Sequence, residues 1–439
     1  MNHRSFASSV LALSLLVACA GGNDVKDAAP GEPVAGGAGE GAAPPAPAAY
    51  VPVQEALEGE ARPALLFAQA WFMKDEKGSP KPGPARLDIL RQGADGIWTR
   101  VRLEDGESNV FHKAIAYQDG ILTIGAEDAK LKHWTFKDGK WTAKLLWEKS
   151  WGGKFDRLRD LEIGDVDGDG KDELVIATHD GGVVAVVNPS DTPDGAAEVI
   201  EMDAKPDTFV HEIEIGDVDG DGKLEFFATP TDRNKANESQ PGMMVMYRWN
   251  GTQYERSVVD PMGATHAKEI LAADLDGDGK SELFSVLEAE TNKEKAIVKP
   301  VEIRQYTLKA DGSGFDHKVF ATIDDRQTRF LVPGDFDGDG KKELVACAYK
   351  TGLYHFTPAA DPAAPWESKR FEQASSGFEH ACYPADLDGD GKLELYVAAD
   401  EQREVKRYTY DATKKEWKGE LIGRIDESSI TWNITAGKF

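Results

Sequence analysis

The sequence predicts an all-β protein, a seven-bladed β-propeller of four-stranded blades that the C-terminal strand closes into a ring. Three observations support this fold. A loop rich in aspartate, flanked by two short apolar runs, occurs five times at intervals of 51 to 61 residues, a spacing typical of a repeat fold built from small sheets. Aromatic residues mark a later strand of most repeats. Finally, the last ten residues read as a strand that supplies what the first repeat lacks.

The apolar runs on either side of each acidic loop are predicted to be β-strands. "LEIGDV" (161–166) precedes the first loop and "ELVIATH" (173–179) follows it. Apolar runs of this length, bounded by Asp and Gly, are typical of strands and not of helices. The loop therefore joins the first two strands of a unit. Two further strands complete the unit, as in "GVVAVVNP" (182–189) and "AEVIEMD" (197–203).

A second repeat signal does not depend on the acidic loop. The fourth strand often opens with an aromatic residue after a polar turn. These residues are Trp98, Trp141, Tyr254, Phe315, Trp366 and Trp417. The first two precede every acidic loop, so the sequence predicts further units upstream that lack such a loop.

The two ends of the folded region are predicted to share one blade. "ALLFAQAWF" (64–72) reads as a second strand without a first, and "ITWNITAGKF" (430–439) reads as a first strand without a second. One unit would thus combine the C-terminal strand with residues 62–105. The other six would start near residues 109, 154, 207, 263, 326 and 376. Closing a ring in this way removes exposed sheet edges.

The N-terminus is predicted to be an export signal over residues 1–18. A short basic start is followed by an apolar run, 6–18, that is too short to span a bilayer comfortably. "LVAC" (16–19) resembles the bacterial lipobox, which implies that Cys19 is lipidated and becomes the mature N-terminus. Ala20 follows in place of Asp, and in the sorting rule for such lipoproteins this implies the outer membrane.

The segment after Cys19 is predicted to be a disordered tether. Residues 19–50 consist mostly of Ala, Gly, Pro and acids and cannot bury a core, so the propeller would occupy residues 51–439. Two other cysteines, Cys347 and Cys382, lie in apolar strand-like runs. Buried free thiols are the favoured interpretation, and a disulfide remains the alternative because an exported protein meets an oxidising compartment.

The charge of the chain limits the classes of partner. The formal net charge is −26, which argues against nucleic acid because phosphates would be repelled. The predicted partners are a glycan or protein ligand and, through the lipid anchor, a membrane. The protein is predicted to be a monomer.

The acidic loops predict a hard cation. The first loop, "DVDGDGKDE" (165–173), packs three aspartates into five residues, and such carboxylates repel one another unless a cation lies between them. Oxygen donors without nearby His or Cys favour calcium. The aspartates match positions 1, 3 and 5 of an EF-hand loop, with Gly at 6, but the next acid comes at position 9 and strands flank the loop. The sequence therefore predicts about five Ca²⁺ ions on hairpins.

"GDVDGDGKDELVIA" (164–177) and its copies resemble FG-GAP/VCBS repeats, the calcium-loop propeller repeats also found in integrin α-subunit heads. The resemblance covers residues 154–400, although a clear Gly-Ala-Pro after the loop is missing, so integrin-like ligand recognition is not implied. The resemblance implies that the three aspartates, the backbone carbonyl of position 7 and the glutamate bind calcium. These residues are Asp165, Asp167, Asp169, Lys171 and Glu173; Asp217, Asp219, Asp221, Lys223 and Glu225; Asp274, Asp276, Asp278, Lys280 and Glu282; Asp335, Asp337, Asp339, Lys341 and Glu343; and Asp386, Asp388, Asp390, Lys392 and Glu394.

Calcium in these loops is expected to be architectural. Full ligation by protein groups leaves no position for an activated water, so catalysis at the metal is not expected. No catalytic residue is therefore assigned from the loops.

A ligand site is predicted at the opposite end of the innermost strands. Six positions before the first aspartate of each loop, or its equivalent, the residues are His112, Arg159, His211, Lys268, Arg329, His380 and Trp432. Six of these seven are basic or imidazole side chains in an acidic protein, which favours an anion such as a carboxylate or a uronate sugar. The alternative is that they pair with the neighbouring acids Asp160, Glu212, Glu269 and Glu379.

Three functions remain open from the sequence. The favoured one is a calcium-stabilised binding or adhesion module for a glycan or a protein. The second is a propeller-type polysaccharide lyase or other carbohydrate-active enzyme, in which His211 or His380 would act as base and Arg159 or Arg329 would neutralise the substrate carboxylate. The third is a scaffold of the cell envelope. His179, Tyr349 and Asp400, and the longer loops 229–241 and 288–300, are predicted to border the same site.

Overall fold

A computed structural model describes residues 53–54 and 60–439, apart from 94, 154–155, 191, 193–194, 233–238 and 362–363. These residues form seven blades of antiparallel strands, and no α-helix occurs among them. The predicted seven-bladed propeller is confirmed. The predicted signal peptide, Cys19 and the whole predicted tether, residues 19–50, lie outside the described residues. Within the described ranges, no helix has the length and apolarity needed to cross a membrane.

The strands of each blade are given from the innermost to the outermost. Blade 1 contains Ser429–Lys438, Pro63–Lys74, Ala85–Gln92 and Trp98–Asp105. Blade 2 contains Phe111–Tyr117, Gly120–Gly125, Lys130–Lys137 and Lys140–Glu148. Blade 3 contains Leu158–Gly164, Glu173–Thr178, Val184–Asn188 and Glu198–Met202. Blade 4 contains Thr208–Gly216, Glu225–Asp232, Met244–Trp249 and Tyr254–Asp260.

The remaining blades follow the same order. Blade 5 contains Ala267–Ala273, Glu282–Leu287, Val301–Leu308 and Phe315–Ile323. Blade 6 contains Thr328–Gly334, Glu343–Ala348, Gly352–Thr357 and Glu367–Glu372. Blade 7 contains Cys382–Ala385, Glu394–Ala399, Glu404–Asp411 and Glu416–Arg424. Four short strands are additional: Val53–Gln54 and Pro80–Pro82 on blade 1, and the hairpin Glu290–Thr291 and Ile297–Lys299 inserted in blade 5.

The C-terminal strand closes the ring as predicted. Ser429–Lys438 pairs antiparallel with Pro63–Lys74, and on its other side it contacts the innermost strand of blade 2. The Thr435 hydroxyl donates to the Ala114 carbonyl of that strand at 2.6 Å. The apolar side chains of the closing strand, which include Ile430 and Ile434, are buried. The strand is therefore part of the core of the ring.

The core lies between neighbouring blades. The second strand of each blade is largely apolar and buried, and in blades 2, 3, 6 and 7 it is buried along its whole length, as in Glu173–Thr178. This burial on both faces explains why these runs are continuously apolar and do not alternate. Apolar clusters join each blade to the next, as between blades 2 and 3 and between blades 5 and 6.

The predicted fourth-strand aromatics pack across blade boundaries. Trp417 of blade 7 stacks on Phe371 of blade 6, with ring centroids 4.8 Å apart. Trp98 of blade 1 meets Tyr396 of blade 7 edge-on at 6.2 Å. Aromatic pairs of this kind add to the stability gained from buried area, which accounts for the recurrence of aromatic residues at this strand.

The expectation of free thiols is wrong, because Cys347 and Cys382 form a disulfide. Cys347 lies in the second strand of blade 6 and Cys382 in the innermost strand of blade 7, so the bond links two neighbouring blades. Both residues are buried. Their proximity depends on how adjacent blades pack, which the separation of 35 residues in the chain does not reveal.

Removing this disulfide is expected to lower stability. Closing a loop of 35 residues restricts the unfolded chain, and such a cross-link typically contributes about 2–4 kcal/mol. We therefore expect the double variant Cys347→Ala, Cys382→Ala to unfold at lower denaturant concentration than the parent chain. Reductant should destabilise the parent and leave the variant unchanged. Equal midpoints for both chains under oxidising conditions would contradict a stabilising disulfide.

Candidate functional site

The acidic loops connect the first and second strands at one end of the ring. In the first loop, the carboxylate of Asp165 accepts hydrogen bonds from the backbone N–H groups of Gly168 and Gly170 at 2.7 and 3.0 Å. These glycines have φ values of 77° and 89°, a backbone conformation that glycine adopts without steric cost. The same pair of contacts occurs in the other loops, at Asp217, Asp274, Asp335 and Asp386.

The loops bring carboxylates together in a pattern that suits a metal. In all five, the oxygens of positions 1, 3 and 9 lie within 4.8 Å of one another. The position-5 aspartate joins this group only in the fourth loop, as Asp339. The donor set consists of carboxylate oxygens alone, which fits Ca²⁺ and not a transition metal. The structure thus groups all four predicted side-chain ligands in the fourth loop and three of the four in each other loop.

The glutamates at position 9 of the loops lie close to several aspartates, and their raised pKa values reflect both burial and this repulsion. Glu173 accepts a hydrogen bond from the backbone N–H of Val166 at 3.0 Å and is buried. Burial, together with the nearby aspartates, raises the pKa of Glu173 to about 7, and the same causes raise the pKa of Glu343 to about 7. A bound cation would remove this repulsion and favour the ionised glutamates.

The second loop has the closest contact with an arginine; in the fifth loop, Arg407 lies 3.7 Å from Asp388. Arg248, on the third strand of blade 4, donates from Nε to Glu225 at 2.9 Å and from Nη2 to Asp219 at 2.6 Å. A side-chain cation thus engages two of the three clustered carboxylates. This loop fits a calcium ion less well than the loops of blades 3, 5 and 6.

At the opposite end of the ring, the innermost strands surround an axial cavity of about 270 Å³. Its lining includes four of the seven predicted ligand residues, namely His112, Arg159, Arg329 and Trp432. The other three, His211, Lys268 and His380, are buried outside this lining.

A backbone irregularity coincides with the predicted ligand position. Six of the seven innermost strands shift register against the second strand at this point. In blade 3, for example, Leu158 pairs with Thr178 and Asp160 with Ala177, so Arg159 is left between them. Such bulges redirect side chains and are frequent next to functional sites. The position six residues before the first aspartate of each loop therefore has a common backbone conformation in the repeat, although the sequence did not reveal the bulge.

Arg159 is the most incompletely paired cation of the cavity. It is largely buried and donates no hydrogen bond to any residue that the structure describes. The nearest carboxylate oxygens belong to Glu379 at 3.7 Å and Glu212 at 4.0 Å. Its guanidinium lies 5.1 Å from the ring centroid of Trp432, whose buried Nε1 also lacks a partner among the described residues.

Arg329, in contrast, is well paired. It forms ion pairs with Glu379 and, at 3.3 Å, with Glu288, and its guanidinium lies 4.5 Å from the centroid of Phe378. The alternative interpretation was that the predicted basic residues pair with neighbouring acids. It therefore describes Arg329 better than Arg159.

His112 presents an acceptor to the cavity. Its Nδ1 is 2.8 Å from the Leu158 carbonyl and must donate there, because a carbonyl only accepts. Burial, with the charges of Arg159 and Arg157 adding to it, lowers the pKa of His112 well below its ordinary value. The neutral ring thus carries a lone pair on Nε2, which is buried and without a partner among the described residues.

His211 and Lys268 form a buried cluster next to the channel. His211 contacts His179 at 3.2 Å, the Thr231 hydroxyl at 3.1 Å and the Lys268 ammonium at 2.8 Å. Burial lowers the pKa of Lys268 to about 7 and keeps His211 neutral by lowering its pKa. His179 also stacks on Phe209 at 4.2 Å, so these basic groups face one another and not the cavity.

His380 points away from the channel. Its Nδ1 donates to the Ala348 carbonyl at 2.6 Å, and its Nε2 is 2.7 Å from the Ser375 hydroxyl. The innermost strand of blade 7 begins only at Cys382, and His380 has a φ of 55°. Counting back from the loop therefore fails in this blade, where Glu379 lines the cavity instead.

Asp400, Tyr349 and the two long loops, which were also predicted to border the site, each make different contacts. Burial raises the pKa of Asp400 to about 8, and its carboxylate accepts from the Thr431 N–H at 3.2 Å. Tyr349 meets Phe378 edge-on at 6.3 Å. The two long loops touch, because the Thr291 N–H donates to the Ser239 hydroxyl at 3.1 Å.

The deeper part of the cavity is lined by acids, most of which were not predicted as ligand groups. They come from alternate positions of three adjacent innermost strands and are Asp160, Glu162, Glu212, Glu214 and Glu269. Lys113 pairs with the first two, at 2.9 Å from Asp160. Burial raises the pKa values of the other three well above the ordinary glutamate value. Alternating acids in "DLEIGD" (160–165) and "EIEIGD" (212–217) were the available signal.

Comparison with known proteins agrees with the fold and the repeats. The FG-GAP-like repeat profile matches residues 165–228, 217–285 and 335–397. No curated protein matches the chain. A Bacteroides fragilis protein, assigned provisionally as a 6-phosphogluconolactonase, is similar in structure at 15% identity and a TM-score of 0.51, covering 85% of this chain and 98% of its own.

Two further solved structures are similar. A protein from Bacteroides uniformis with the same provisional assignment has 13% identity, a TM-score of 0.52 and coverage of 87% of this chain and 100% of its own. A protein from Lactobacillus plantarum has 13% identity, a TM-score of 0.52 and coverage of 86% and 99%. Likeness at this level concerns the fold alone. The chain thus carries FG-GAP-like repeats on a seven-bladed β-propeller.

Proposed function

We propose that the protein is an extracytoplasmic binding module that takes an acidic group of a glycan or protein ligand into its axial channel. The observation that carries the proposal is the state of Arg159. This guanidinium lines the cavity beside Trp432, and its nearest carboxylate oxygens among the described residues, at 3.7 and 4.0 Å, lie beyond hydrogen-bond distance. A guanidinium fork matches a carboxylate in geometry and charge.

The surroundings of Arg159 support an anionic guest. The Trp432 Nε1–H is an unpartnered donor of the same lining. A carboxylate placed here would accept hydrogen bonds from Arg159 and Trp432. The tryptophan ring would also cover the apolar face of a sugar.

The geometry gives less support to a polysaccharide lyase. A lyase needs a base and a carboxylate neutraliser that converge on the substrate, but neither His211 nor His380 lines the cavity. The similarity to the assigned lactonases is a similarity of fold. A binding role, with the acidic loops bracing the opposite end of the ring, requires no such base.

We expect Arg159→Met to weaken the binding of an acidic oligosaccharide by about 1.5–3 kcal/mol, the usual contribution of a charged hydrogen-bonding partner. Calorimetry with oligogalacturonate and the full chain would measure this loss. Arg370→Met, on the exposed outermost strand of blade 6, is the matched control and should bind like the parent. Unchanged affinity in Arg159→Met would contradict the assignment of Arg159.

Location is part of the proposal. We propose that Cys19 carries a lipid and holds the propeller at the outer membrane, and the disulfide between Cys347 and Cys382 suits an oxidising compartment. Cys19→Ala should therefore move the protein from the membrane fraction to the soluble fraction. Mass spectrometry of the parent should find the lipid on Cys19. Retention of the variant in membranes would argue against the anchor.

A further inference from the structure

We infer that the group entering the channel is a single sugar-acid unit, a polyhydroxy carboxylate of hexuronate size, with its carboxylate at Arg159 and its hydroxyls toward His112 and the deeper acids. This inference rests on the proposed function and specifies its ligand. Four features of the cavity carry it.

The first feature is the unpartnered acceptor of His112. Its Nδ1 donates to the Leu158 carbonyl, so its Nε2 can only accept while the ring is neutral. This nitrogen is buried, and His112 lines the cavity. A carboxylate has no proton to give it, whereas a hydroxyl does. The ligand should therefore carry at least one O–H group besides its anionic group.

The second feature is the set of deeper acids. Lys113 pairs with Asp160 and Glu162 and offsets one of their two negative charges. Glu212, Glu214 and Glu269 line the same cavity, and desolvation there, with the charges of neighbouring acids adding to it, raises their pKa values and favours the protonated forms. Protonated carboxyl groups both donate and accept, which is the pairing that neutral hydroxyls require.

The third feature is that Arg159 and Trp432 lie at one end of the cavity, where Glu379 and Glu212 also lie, 3.7 and 4.0 Å from Arg159. Arg159, Arg329 and Trp432 belong to the predicted ligand ring, whereas Glu162 and Glu214 lie further along their strands toward the acidic loops. A ligand with one anionic end and a hydroxylated body matches this order. A second negative charge placed among the deeper acids would be repelled.

The fourth feature is size. The cavity of about 270 Å³ lies just below the range of roughly 300–1,000 Å³ that holds drug-sized ligands. It therefore suits one sugar unit and not a chain. Trp432 and its neighbour His112, whose rings meet edge-on at 4.9 Å, give the unit an aromatic wall.

Calorimetry on the full chain with four probes tests the inference. The probes are galacturonate, cyclohexanecarboxylate, galactose and digalacturonate. Galacturonate should bind at least about tenfold more tightly than cyclohexanecarboxylate, because the latter leaves His112 Nε2 and the deeper acids without partners. Galactose, which lacks the carboxylate, should bind far more weakly than galacturonate.

His112→Phe identifies the hydroxyl contact. The substitution keeps an aromatic ring against Trp432 and removes the acceptor. The affinity for galacturonate should therefore fall about fivefold to tenfold, and the affinity for cyclohexanecarboxylate should change less than about twofold. If this variant does not fold, Glu212→Leu, compared with Glu212→Gln, replaces it. The leucine variant should lose the preference for galacturonate, and the glutamine variant should keep most of it.

The outcomes separate the inference from the proposed function. Equal affinity for galacturonate and cyclohexanecarboxylate would overturn the sugar-acid inference and leave an anion site at Arg159. If neither galacturonate nor cyclohexanecarboxylate binds, or if galactose binds as tightly as galacturonate, both the sugar-acid inference and the proposed function are overturned. If digalacturonate binds as tightly as galacturonate, the ligand is the end of a polysaccharide. If galacturonate binds clearly more tightly, the ligand is a free sugar acid. Either result supports the inference.

Discussion

A chain that lacks residues 430–439 will not form the native ring. The deleted strand buries Ile430, Trp432 and Ile434, and full burial of such side chains contributes roughly 1.5–3 kcal/mol each. The loss of roughly 5–9 kcal/mol is comparable to the whole stability of many domains. It also leaves the edge of Pro63–Lys74 unpaired, which favours aggregation. We therefore expect no cooperative thermal transition in the soluble fraction.

A deletion at the outer edge of the same blade is the control. Removing residues 20–59 takes away Val53–Gln54, which pairs only with the outermost strand Trp98–Asp105. We expect this chain to unfold close to the temperature of the parent, as measured by circular dichroism. A cooperative transition at the parental temperature in the C-terminal deletion would show that ring closure does not depend on this strand.

Chelation of calcium is expected to lower the melting temperature strongly. Ligands that bind only the folded state stabilise it by RT ln(1 + [L]/Kd), and extracellular calcium modules often have Kd values near 10⁻⁴–10⁻³ M. At about 2 mM calcium each loop would thus contribute about 0.6–1.8 kcal/mol. Four or five such sites would together contribute several kcal/mol. Magnesium should substitute poorly, because it dehydrates reluctantly.

The metal-free form should also respond to pH. The pKa values of Glu173 and Glu343 are raised to about 7 in the folded chain. The stability these groups contribute is therefore fully present at acidic pH and is lost as the pH rises through about 7. Without calcium, stability should fall mainly between about pH 4.5, the ordinary pKa of a glutamate, and about pH 7, whereas calcium should reduce this dependence.

The arginine at the second loop makes the calcium prediction specific. Because Arg248 engages Asp219 and Glu225, we expect elemental analysis to find four bound calcium ions more readily than five. Asp167→Asn in the first loop should lower the count by one, whereas Asp219→Asn should not. Arg248→Ala should raise it. A melting temperature that changes with neither calcium nor chelator would contradict the calcium assignment.

The sequence predicted what depends on local repetition. Each acidic loop, with strands such as Leu158–Gly164 and Glu173–Thr178 on either side, is specified within one stretch of chain. The unmatched strands at 64–72 and 430–439 predicted closure, because a strand without a partner must find one.

What the sequence missed depends on packing between blades. The bond between Cys347 and Cys382 requires knowing which blades touch and in what register. The bulge at Arg159 shifts side chains by one place, and the turn at His380 breaks the count in blade 7. Asp160, Glu212 and Glu269 were expected only as pairing partners of the basic ring, and Glu162 and Glu214 were missed because strand alternation was not followed into the channel.

The closing strand has a consequence for the time course of folding. Gln69 and Thr431, whose side chains are hydrogen-bonded across the seam, are separated by 362 residues in the chain. Every other blade can assemble from one continuous segment, but blade 1 must wait until its partner strand has emerged. Contacts between such distant residues form slowly. Ring closure should therefore be the last and rate-limiting step of folding, and chaperones that shield the waiting edge of Pro63–Lys74 would act at that step.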